Sequence, residues 1–221
     1  MCGRYSFAIK RGQLEAELGP IEVEGELEEN FNIAPTQKAY VVTNASPGRL
    51  QLFHWGLLPF WSKENHPDPR LINARMEGIE EKPSFRVPFR QRRCLVPADS
   101  FYEWEKRGRE RLPYRIQLKK GKPMIMAGIW DIHGEGSSAI HSFSVITTLA
   151  NEELTPLHDR MPALLLDSEQ REQWLSEEKD PEALKALLEP PPNGILDIYR
   201  VPILVNNYRN NGPQLHEHVK D

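Results

Sequence analysis

The sequence predicts an α+β fold: a single domain over residues 1–221, built around a curved, mainly antiparallel, barrel-like β-sheet with a few peripheral helices. Short runs of β-branched and aromatic residues recur at close spacing between Gly and Pro, which is typical of antiparallel strands. Helical signals are confined to a few short segments. No internal repeat, low-complexity tract or long linker divides the chain.

In the first half of the chain, hydrophobic spacing and turn residues define the elements. Leu14 and Leu18, four residues apart and followed by Gly19-Pro20, predict a helix over 11–18. Alternating runs predict three strands, over 4–9, 39–43 and 49–55, the last two joined by the turn 44–48. Polar or proline-bearing stretches predict an acidic loop, a turn and a second loop, over 22–29, 30–35 and 62–70, and order resumes over 71–76.

The second half predicts most of the sheet and two more helices. Strands are predicted over 93–97, 100–105, 112–118, 123–131 and 140–148. Ser168 is a candidate N-cap for a helix over 169–176, and Asp180-Pro181 begins a helix over 182–189. The run PPPNG ends that helix, and residues 195–205 contain one or two final strands.

Charge is distributed unevenly. The net charge is −4, yet residues 86–122 hold twelve Lys/Arg against four Asp/Glu, a local charge of +8, which leaves −12 for the remainder. Residues 13–29 contain seven glutamates and no basic residue. This asymmetry is compatible with a basic groove for a polyanion on an acidic body. A solvated hairpin rich in Lys and Arg explains the count equally well.

Composition argues against several classes of protein. Two cysteines, Cys2 and Cys94, at no repeated spacing argue against a disulfide framework and against a zinc site. No uninterrupted apolar run approaches the length of about 18 residues that a transmembrane helix needs. The N-terminus lacks a basic and then apolar signal region. We therefore expect a cytoplasmic protein with reduced thiols, no metal, no organic cofactor and no membrane contact.

The position of Cys2 carries the strongest chemical signal. Initiator methionine is usually removed before a small residue, and removal of Met1 would leave Cys2 with a free α-amine beside its thiol. The two groups titrate at about 7.7–8.0 and about 8.5, so both have reactive fractions near neutral pH. Such a 1,2-aminothiol can condense with an aldehyde and close a thiazolidine ring. The alternative is a cysteine that packs without a chemical role.

Two short segments offer groups that could clamp a sugar and a phosphate. Asn73 and Arg75 lie two residues apart and so share one strand face. Arg4 offers a phosphate donor next to Cys2. A plain surface strand is the alternative for the first pair.

Two further groups are suited to proton transfer. Glu103 lies between Tyr102 and Trp104, where a low dielectric would raise its pKa. His158, in the segment LHDRMP, could titrate near pH 7. The alternatives are a solvent-facing glutamate and a loop histidine.

Aromatic residues also gather in one short segment. Trp55, Phe60 and Trp61 could stack on nucleobases or pack in the core, and the core is the expectation for Trp55.

Taken together, six segments resemble the SOS response-associated peptidase (SRAP) family, whose members cross-link to abasic sites in DNA. They fall in order between residue 1 and about residue 212: MCGR at 1–4, NIAPT at 32–36, WGLLPFW at 55–61, LINAR at 71–75, CLVPADSFYEW at 94–104 and LHDRMP at 157–162.

The resemblance implies a covalent chemistry. Family members lose Met1 and use the exposed cysteine, here Cys2, against the ring-opened aldehyde of an abasic site in single-stranded DNA, which gives a thiazolidine cross-link that shields the lesion. Asn73 matches the asparagine that orients the nucleophile, and Glu103 the acid–base glutamate. His158 matches the histidine that assists ring opening and link reversal. Removal of Met1 is the peptidase-type self-processing of the family name.

The resemblance also implies a DNA path. Arg4, Arg75 and Arg160 match phosphate contacts, and Pro35, Trp61 and Thr147 match positions that line a narrow basic groove. The implied partner is single-stranded DNA, or its junction with duplex, bound by a monomer that associates with the nucleoid when on DNA.

Two other functions stay open. The first is an N-terminal-nucleophile hydrolase or cysteine peptidase, with Cys2 as nucleophile and His158 as base. The second is a single-stranded DNA binding module in which Cys2 is incidental. Substrate peptides, aldehyde-bearing DNA and a Cys2→Ala variant distinguish the three.

Overall fold

A computed structural model describes residues 2–23 and 25–219 of the chain. Its strands are β1 Tyr5–Phe7, β2 Glu22–Val23, β3 Asn30–Ile33, β4 Lys38–Thr43, β5 Ser46–Trp55, β6 Asn73–Arg75, β7 Arg93–Ala98, β8 Ser100–Arg107, β9 Glu110–Leu118, β10 Met124–His133, β11 Ile140–Leu149, β12 Arg160–Pro162 and β13 Leu196–Arg200. Its α-helices are α1 Arg11–Leu18, α2 Arg86–Gln91, α3 Ser168–Leu175 and α4 Pro181–Ala186.

Five strands close into a barrel. The antiparallel order β11-β10-β7-β4-β5 returns on itself because β5 also pairs with β11, in parallel, through His54↔Ser142 and Trp55↔Phe143. Closure leaves none of these five strands with a fully open edge. The predicted α+β class with a mainly antiparallel, barrel-like sheet is therefore confirmed.

A second sheet, in the order β13-β9-β8-β1-β3, packs beside the barrel. All its pairings are antiparallel, and Tyr5 lies opposite Phe101 where β1 meets β8. The ring of Tyr5 meets that of Trp55 edge to face, with centroids 5.0 Å apart, and both side chains are fully buried. Trp55 is thus a core residue, as expected, and it joins the two sheets.

Strand β11 supports two short strands, one on each edge. Past residue 145 its partners change, so that Thr147 lies between Arg75 of β6 and Pro162 of β12. These two strands are only three residues long and have no hydrophobic alternation, which is why the sequence did not predict β12. They bring the segments LINAR and LHDRMP side by side.

Two glycines are required by close packing. A Cβ on Gly128 of β10 would lie 2.8 Å from Cys94 Sγ and 2.9 Å from Val96 Cγ2 on the neighbouring β7. Gly56, at φ 130°, follows β5, and its Cβ would lie 2.8 Å from the carbonyl oxygen of Asp68. The close contact at Gly56 folds the loop 56–70 back on itself.

Most predicted elements are present, with several corrections. Residues 30–35 were predicted as a turn, but Asn30–Ile33 is strand β3, because pairing with β1 outweighs the turn preference of its asparagines. The N-cap of α3 is Asp167, whose Oδ1 accepts from Gln170 N at 2.8 Å, and not Ser168. Helix α4 ends at Ala186, three residues before its predicted end.

Some elements were missed or shortened. Helix α2 was not predicted, and β1 covers only three of the six residues predicted as a strand. Within the acidic stretch 22–29, Glu22–Val23 pairs with β5 in parallel. Of the one or two strands predicted over 195–205, the described structure has β13, followed by a 3-10 turn at Ile203–Asn206. None of the described helices has the length and apolar character needed to cross a membrane.

Candidate active site

Cys2 lies three residues before the start of β1, beside the strand that carries Glu103. Tyr102 N donates to Arg4 O at 3.0 Å, so the β1–β8 register continues towards the N-terminus and sets Gly3 opposite Glu103. The side chain of Cys2 is fully buried, and burial raises the pKa of its thiol well above the usual range, with a further contribution from the charge of Glu103. The predicted removal of Met1 concerns a residue outside the described part of the chain.

Asn73 holds the main chain of Cys2. Its Nδ2 donates to Cys2 O at 2.7 Å, although the two residues are 71 positions apart. Its Oδ1 is buried and accepts no hydrogen bond from any described residue. Asn73 reaches Cys2 because β6 runs along β11, opposite Val145. The Nδ2 group of Asn73 therefore fixes the backbone of Cys2. Its Oδ1 atom is available as a hydrogen-bond acceptor beside Cys2.

Glu103 is a buried carboxyl group poised to titrate. The residue is 5 % exposed, and burial raises the pKa of its carboxyl group to about 7, with a smaller contribution from the charge of Asp159. A group that titrates near neutral pH can both give and take a proton. The predicted pKa elevation at this position thus has a structural basis.

His158 precedes β12, in a turn fixed by its own backbone. Its Nδ1 lies 2.9 Å from Arg160 N and 2.9 Å from Asp159 Oδ1, and it can serve only one of them at a time. Burial lowers the pKa of the imidazole, which favours the neutral ring. A neutral ring accepts the Arg160 amide at Nδ1 and therefore carries its proton on Nε2.

Arg160 and Thr147 lie beneath this turn. The guanidinium of Arg160 is 7 % exposed and binds both carboxylate oxygens of Glu77, at 2.7 and 2.9 Å, together with Thr147 O at 2.6 Å. Thr147 is fully buried. Neither side chain presents itself at the surface, so a direct contact with DNA would require the Glu77–Arg160 pair to open.

Arg4 joins Cys2 to the C-terminal segment, residues 203–211. Its Nη1 donates to Asn32 Oδ1 at 2.8 Å and to Val205 O at 2.9 Å, and its guanidinium carbon lies 5.9 Å from the ring centroid of Trp104. Asn32 in turn donates to the carbonyl groups of Val205, Asn207 and Asn210.

The remaining predicted DNA-contacting residues lie nearer the surface. Arg75 is exposed, Pro35 is half-buried, and Trp61 is 53 % exposed beside Phe60 at 55 %. The amide of Phe60 donates to Asp131 Oδ2 at 3.1 Å, and the other oxygen of Asp131 accepts from Arg92 Nη1 at 2.6 Å. The two aromatic side chains thus protrude from an anchored turn.

Three residues important to this arrangement were given no role by sequence reasoning: Asn32, Glu77 and Asp131. Asn32 and Asp131 are 1 % exposed, and both interrupt apolar strands, in the runs FNIA and GIWDI. A polar side chain within an apolar strand is expected to be hydrogen-bonded, and this signal could have identified both. Nothing in the local pattern distinguishes Glu77 from other surface glutamates.

The structure therefore brings Cys2, Asn73 and Glu103 together with the turn of His158, whose neighbour Asp159 acts on the pKa of Glu103. Arg4 borders this group, while Pro35, Trp61 and Arg75 offer surface around it. Within the described ranges, no cluster of three or more His, Cys, Asp or Glu side chains could hold a metal ion.

Comparisons with known proteins agree on one family. The family model described as SOS response associated peptidase (SRAP) matches residues 1–208. The chain is 37 % identical to the abasic site processing protein YoqW of Bacillus subtilis, over 98 % of this chain and 99 % of that protein. It is 30 % identical to the abasic site processing protein HMCES of Gallus gallus, over 86 % of this chain and 66 % of that protein.

A solved structure shows the same fold. A crystal structure of a protein from Bacteroides thetaiotaomicron superposes with a TM-score of 0.87 at 28 % identity, over 99 % of this chain and 100 % of that one. With the matched motifs in place around Cys2, this chain belongs to the SOS response-associated peptidase family.

Proposed function

We propose that this protein captures abasic sites in single-stranded DNA covalently through Cys2, after Met1 has been removed. One observation carries the proposal: the residue that would become the N-terminus is held by Asn73 next to a carboxyl group with a pKa of about 7. The relatives named as abasic site processing proteins support the substrate class.

The chemistry is a condensation that releases one water. The free α-amine of Cys2 adds to the aldehyde carbon of the ring-opened sugar and forms a carbinolamine. Loss of its hydroxyl group as water leaves an imine. The thiol then adds to the imine carbon, and its proton ends on the nitrogen, so that the thiazolidine ring contains both Cys2 heteroatoms. No redox partner is required.

Two residues of the site would move the protons. Glu103, near half-protonated at neutral pH, would donate to the leaving hydroxyl group and take a proton from the attacking amine. His158, with its proton on Nε2, would assist opening of the sugar ring. The unused Oδ1 of Asn73 would accept from the new α-amine and hold it in place.

The state of the thiol favours this order of steps over a peptidase mechanism on foreign peptides. A cysteine peptidase needs a thiolate of lowered pKa, whereas burial raises the pKa of Cys2. An amine that attacks first does not need the thiolate, because the thiol adds later to an activated imine. Peptide-bond cleavage would then be limited to hydrolysis of Met1–Cys2.

The test is a denaturing gel of protein mixed with a single-stranded oligonucleotide that carries one abasic site, with the N-terminus checked by mass spectrometry. We expect a denaturation-resistant band whose mass is the sum of the components minus one water. Cys94→Ala, at the other buried cysteine, should keep the band and Cys2→Ala should lose it. Cys2→Ala and Cys2→Ser both retain the α-amine, so each should give a band only after borohydride reduction of the imine.

Either of two results would overturn the proposal. One is the absence of a band from protein that begins at Cys2. The other is an undiminished band from Cys2→Ala, which would place the linkage elsewhere.

A further inference from the structure

The tip of the β8–β9 hairpin carries two cations that face each other without an acidic partner. Lys106 pairs directly with Arg111 across the ladder, and both are exposed. Like charges directly opposite each other destabilise a strand pair. Among the described residues, no carboxylate lies within ion-pair distance of either. The hairpin thus retains an unfavourable pair that an external anion would relieve.

The acidic residues of the hairpin lie on its other face. Glu105 bonds Arg107 at 3.2 Å and accepts from Tyr114 OH at 3.0 Å, and Glu110 lies opposite Arg107. Since side chains alternate along a strand, Glu105 and Arg107 share the face of Glu103, whereas Lys106 shares the face of Trp104. On one face of the hairpin the positive and negative side chains therefore neutralise each other. On the other face the charged side chains are all cations.

The cationic face borders the candidate active site through Arg4, whereas Glu103 lies on the opposite face of β8. Trp104 lies between Glu103 and the hairpin tip, and the guanidinium of Arg4 lies against its ring. Lys106 is two residues beyond Trp104 on the same face, a distance of about 7 Å along the strand. A chain that leaves the site past Arg4 would meet Trp104 and then the Lys106–Arg111 pair.

The C-terminal segment extends this surface. It is joined to the same face by the bond from Trp104 Nε1 to Asn206 Oδ1, at 2.6 Å. It carries Tyr208, which is 49 % exposed, with the guanidinium carbon of Arg209 5.8 Å from its ring centroid. Exposed aromatic rings among cations are the combination that binds single-stranded nucleic acid.

We propose that this hairpin face, defined as Trp104, Lys106, Arg111, Tyr208 and Arg209, binds the phosphates of the DNA strand beside the captured lesion. The inference rests on the proposed function for the identity of the polyanion. An acidic protein would satisfy the charges but would not use the aromatic rings. The Lys106–Arg111 pair is then kept for binding, at the expense of hairpin stability.

The test measures non-covalent binding of an undamaged single-stranded oligonucleotide by fluorescence anisotropy, over a series of salt concentrations. The test variant is Lys106→Gln/Arg111→Gln. The matched control is Lys120→Gln/Lys122→Gln, which removes two cations of the same basic region beyond the far end of β9, about 25 Å away. Undamaged DNA keeps the result independent of the cross-linking chemistry.

We expect the hairpin variant to bind about 10-fold more weakly at 0.15 M salt, with a slope of log K against log salt that is less steep by about 1.4, because two phosphate contacts are lost. Its Tm should be no lower than that of the wild type, since the like-charge pair is relieved. The control should retain the wild-type slope.

Equal affinity and slope in wild type and hairpin variant would overturn the inference, as would an equal loss in the control. Cross-linking of abasic DNA at saturating protein should persist in the hairpin variant. A wild type that binds DNA with the expected slope but forms no cross-link would reject the proposed function and leave this inference standing.

Discussion

At the scale of a single residue, the burial of Glu103 makes the folding stability of the protein depend on pH. The pKa of its carboxyl group is about 7 in the fold against an ordinary value of 4.5. Because the folded pKa is raised, stability that is present below about pH 4.5 is lost as the pH rises through 7. We expect Glu103→Gln to raise the free energy of unfolding by about 3 kcal/mol at pH 8 and by little at pH 4.

Urea unfolding at the two pH values measures this difference. Glu105→Gln is the matched control, since it changes a more exposed glutamate on the same strand face and should show no such pH-dependent gain. A gain of the same size at pH 4 and pH 8 would show that packing, and not ionisation, is responsible.

The same substitution should slow the chemistry. If Glu103 transfers protons during condensation, Glu103→Gln should reduce the rate of cross-linking by about 10²- to 10⁴-fold at unchanged DNA affinity. The wild-type rate should bend near pH 7, and the variant should lose that inflection. Single-turnover gels across pH 5–9 measure both. An inflection retained by the variant would assign the titration to another group.

At the scale of elements, the turn that carries His158 depends on a pair formed between two short segments. Arg160 of β12 is held by Glu77, which follows β6, and the amide of Arg160 in turn fixes His158 Nδ1. The hydrogen bonds from Arg160 hold the pKa of Glu77 below its ordinary value. The pair therefore contributes stability above about pH 4.5 that is lost as the pH falls.

We expect Glu77→Gln to slow cross-linking by displacing this turn, and to lower stability more at pH 7 than at pH 3, because the contribution of the pair is lost as the pH falls below 4.5. Denaturant unfolding at both pH values and cross-linking rates check this. Glu81→Gln, an exposed glutamate four residues later, is the control. An unaltered rate in Glu77→Gln would show that the turn holds its position without the pair.

A second element-scale dependence concerns the C-terminal segment. Asn32 Nδ2 donates to three of its carbonyl groups, at 2.9 to 3.3 Å, from a site that is 1 % exposed. Asn32→Asp would set a carboxylate oxygen against these carbonyl groups. We expect a loss of about 2 kcal/mol and faster proteolysis within residues 203–211.

The control is Asn30→Asp on the same strand. Asn30 Oδ1 accepts from Asn32 N at 2.9 Å, and a carboxylate can accept that bond equally well. Equal proteolysis of the two variants would mean that the Asn32 network does not hold the segment.

The local sequence pattern predicted most of the individual strands, but it did not predict how they pair. Alternation and Gly or Pro boundaries predicted β4, β5 and β7–β11, since these strands bury one face or both. The two strands that carry Asn73 and Arg160 are set by the edges of β11, which no local signal encodes. The same holds within the site. Cys2 and Glu103 could be proposed from their neighbours, whereas the burial of Arg160 and Thr147 could not.

At the scale of the whole molecule, barrel closure and charge act together. Closure sets β6 and β12 on the two edges of β11 and so brings two sequence-distant segments to the N-terminus. Seven of the twelve cations of residues 86–122 lie at the hairpin beside this site or beyond the far end of β9, four lie in or just after α2, and Arg115 is paired with Asp99. Long-range attraction of a polyanion is therefore directed by an uneven field on a protein whose net charge is −4.

The electrostatic field affects the initial association of the protein with DNA and not the covalent cross-link that forms afterwards. The order in which salt and DNA are added should therefore matter. Salt at 0.5 M added before abasic single-stranded DNA should slow cross-linking at least 10-fold at sub-saturating protein, because phosphate contacts weaken with ionic strength. The same salt added after the reaction should leave the band intact, since a thiazolidine is covalent. Denaturing gels of the two orders of addition measure this. Loss of an already formed band after salt addition would contradict a stable covalent linkage.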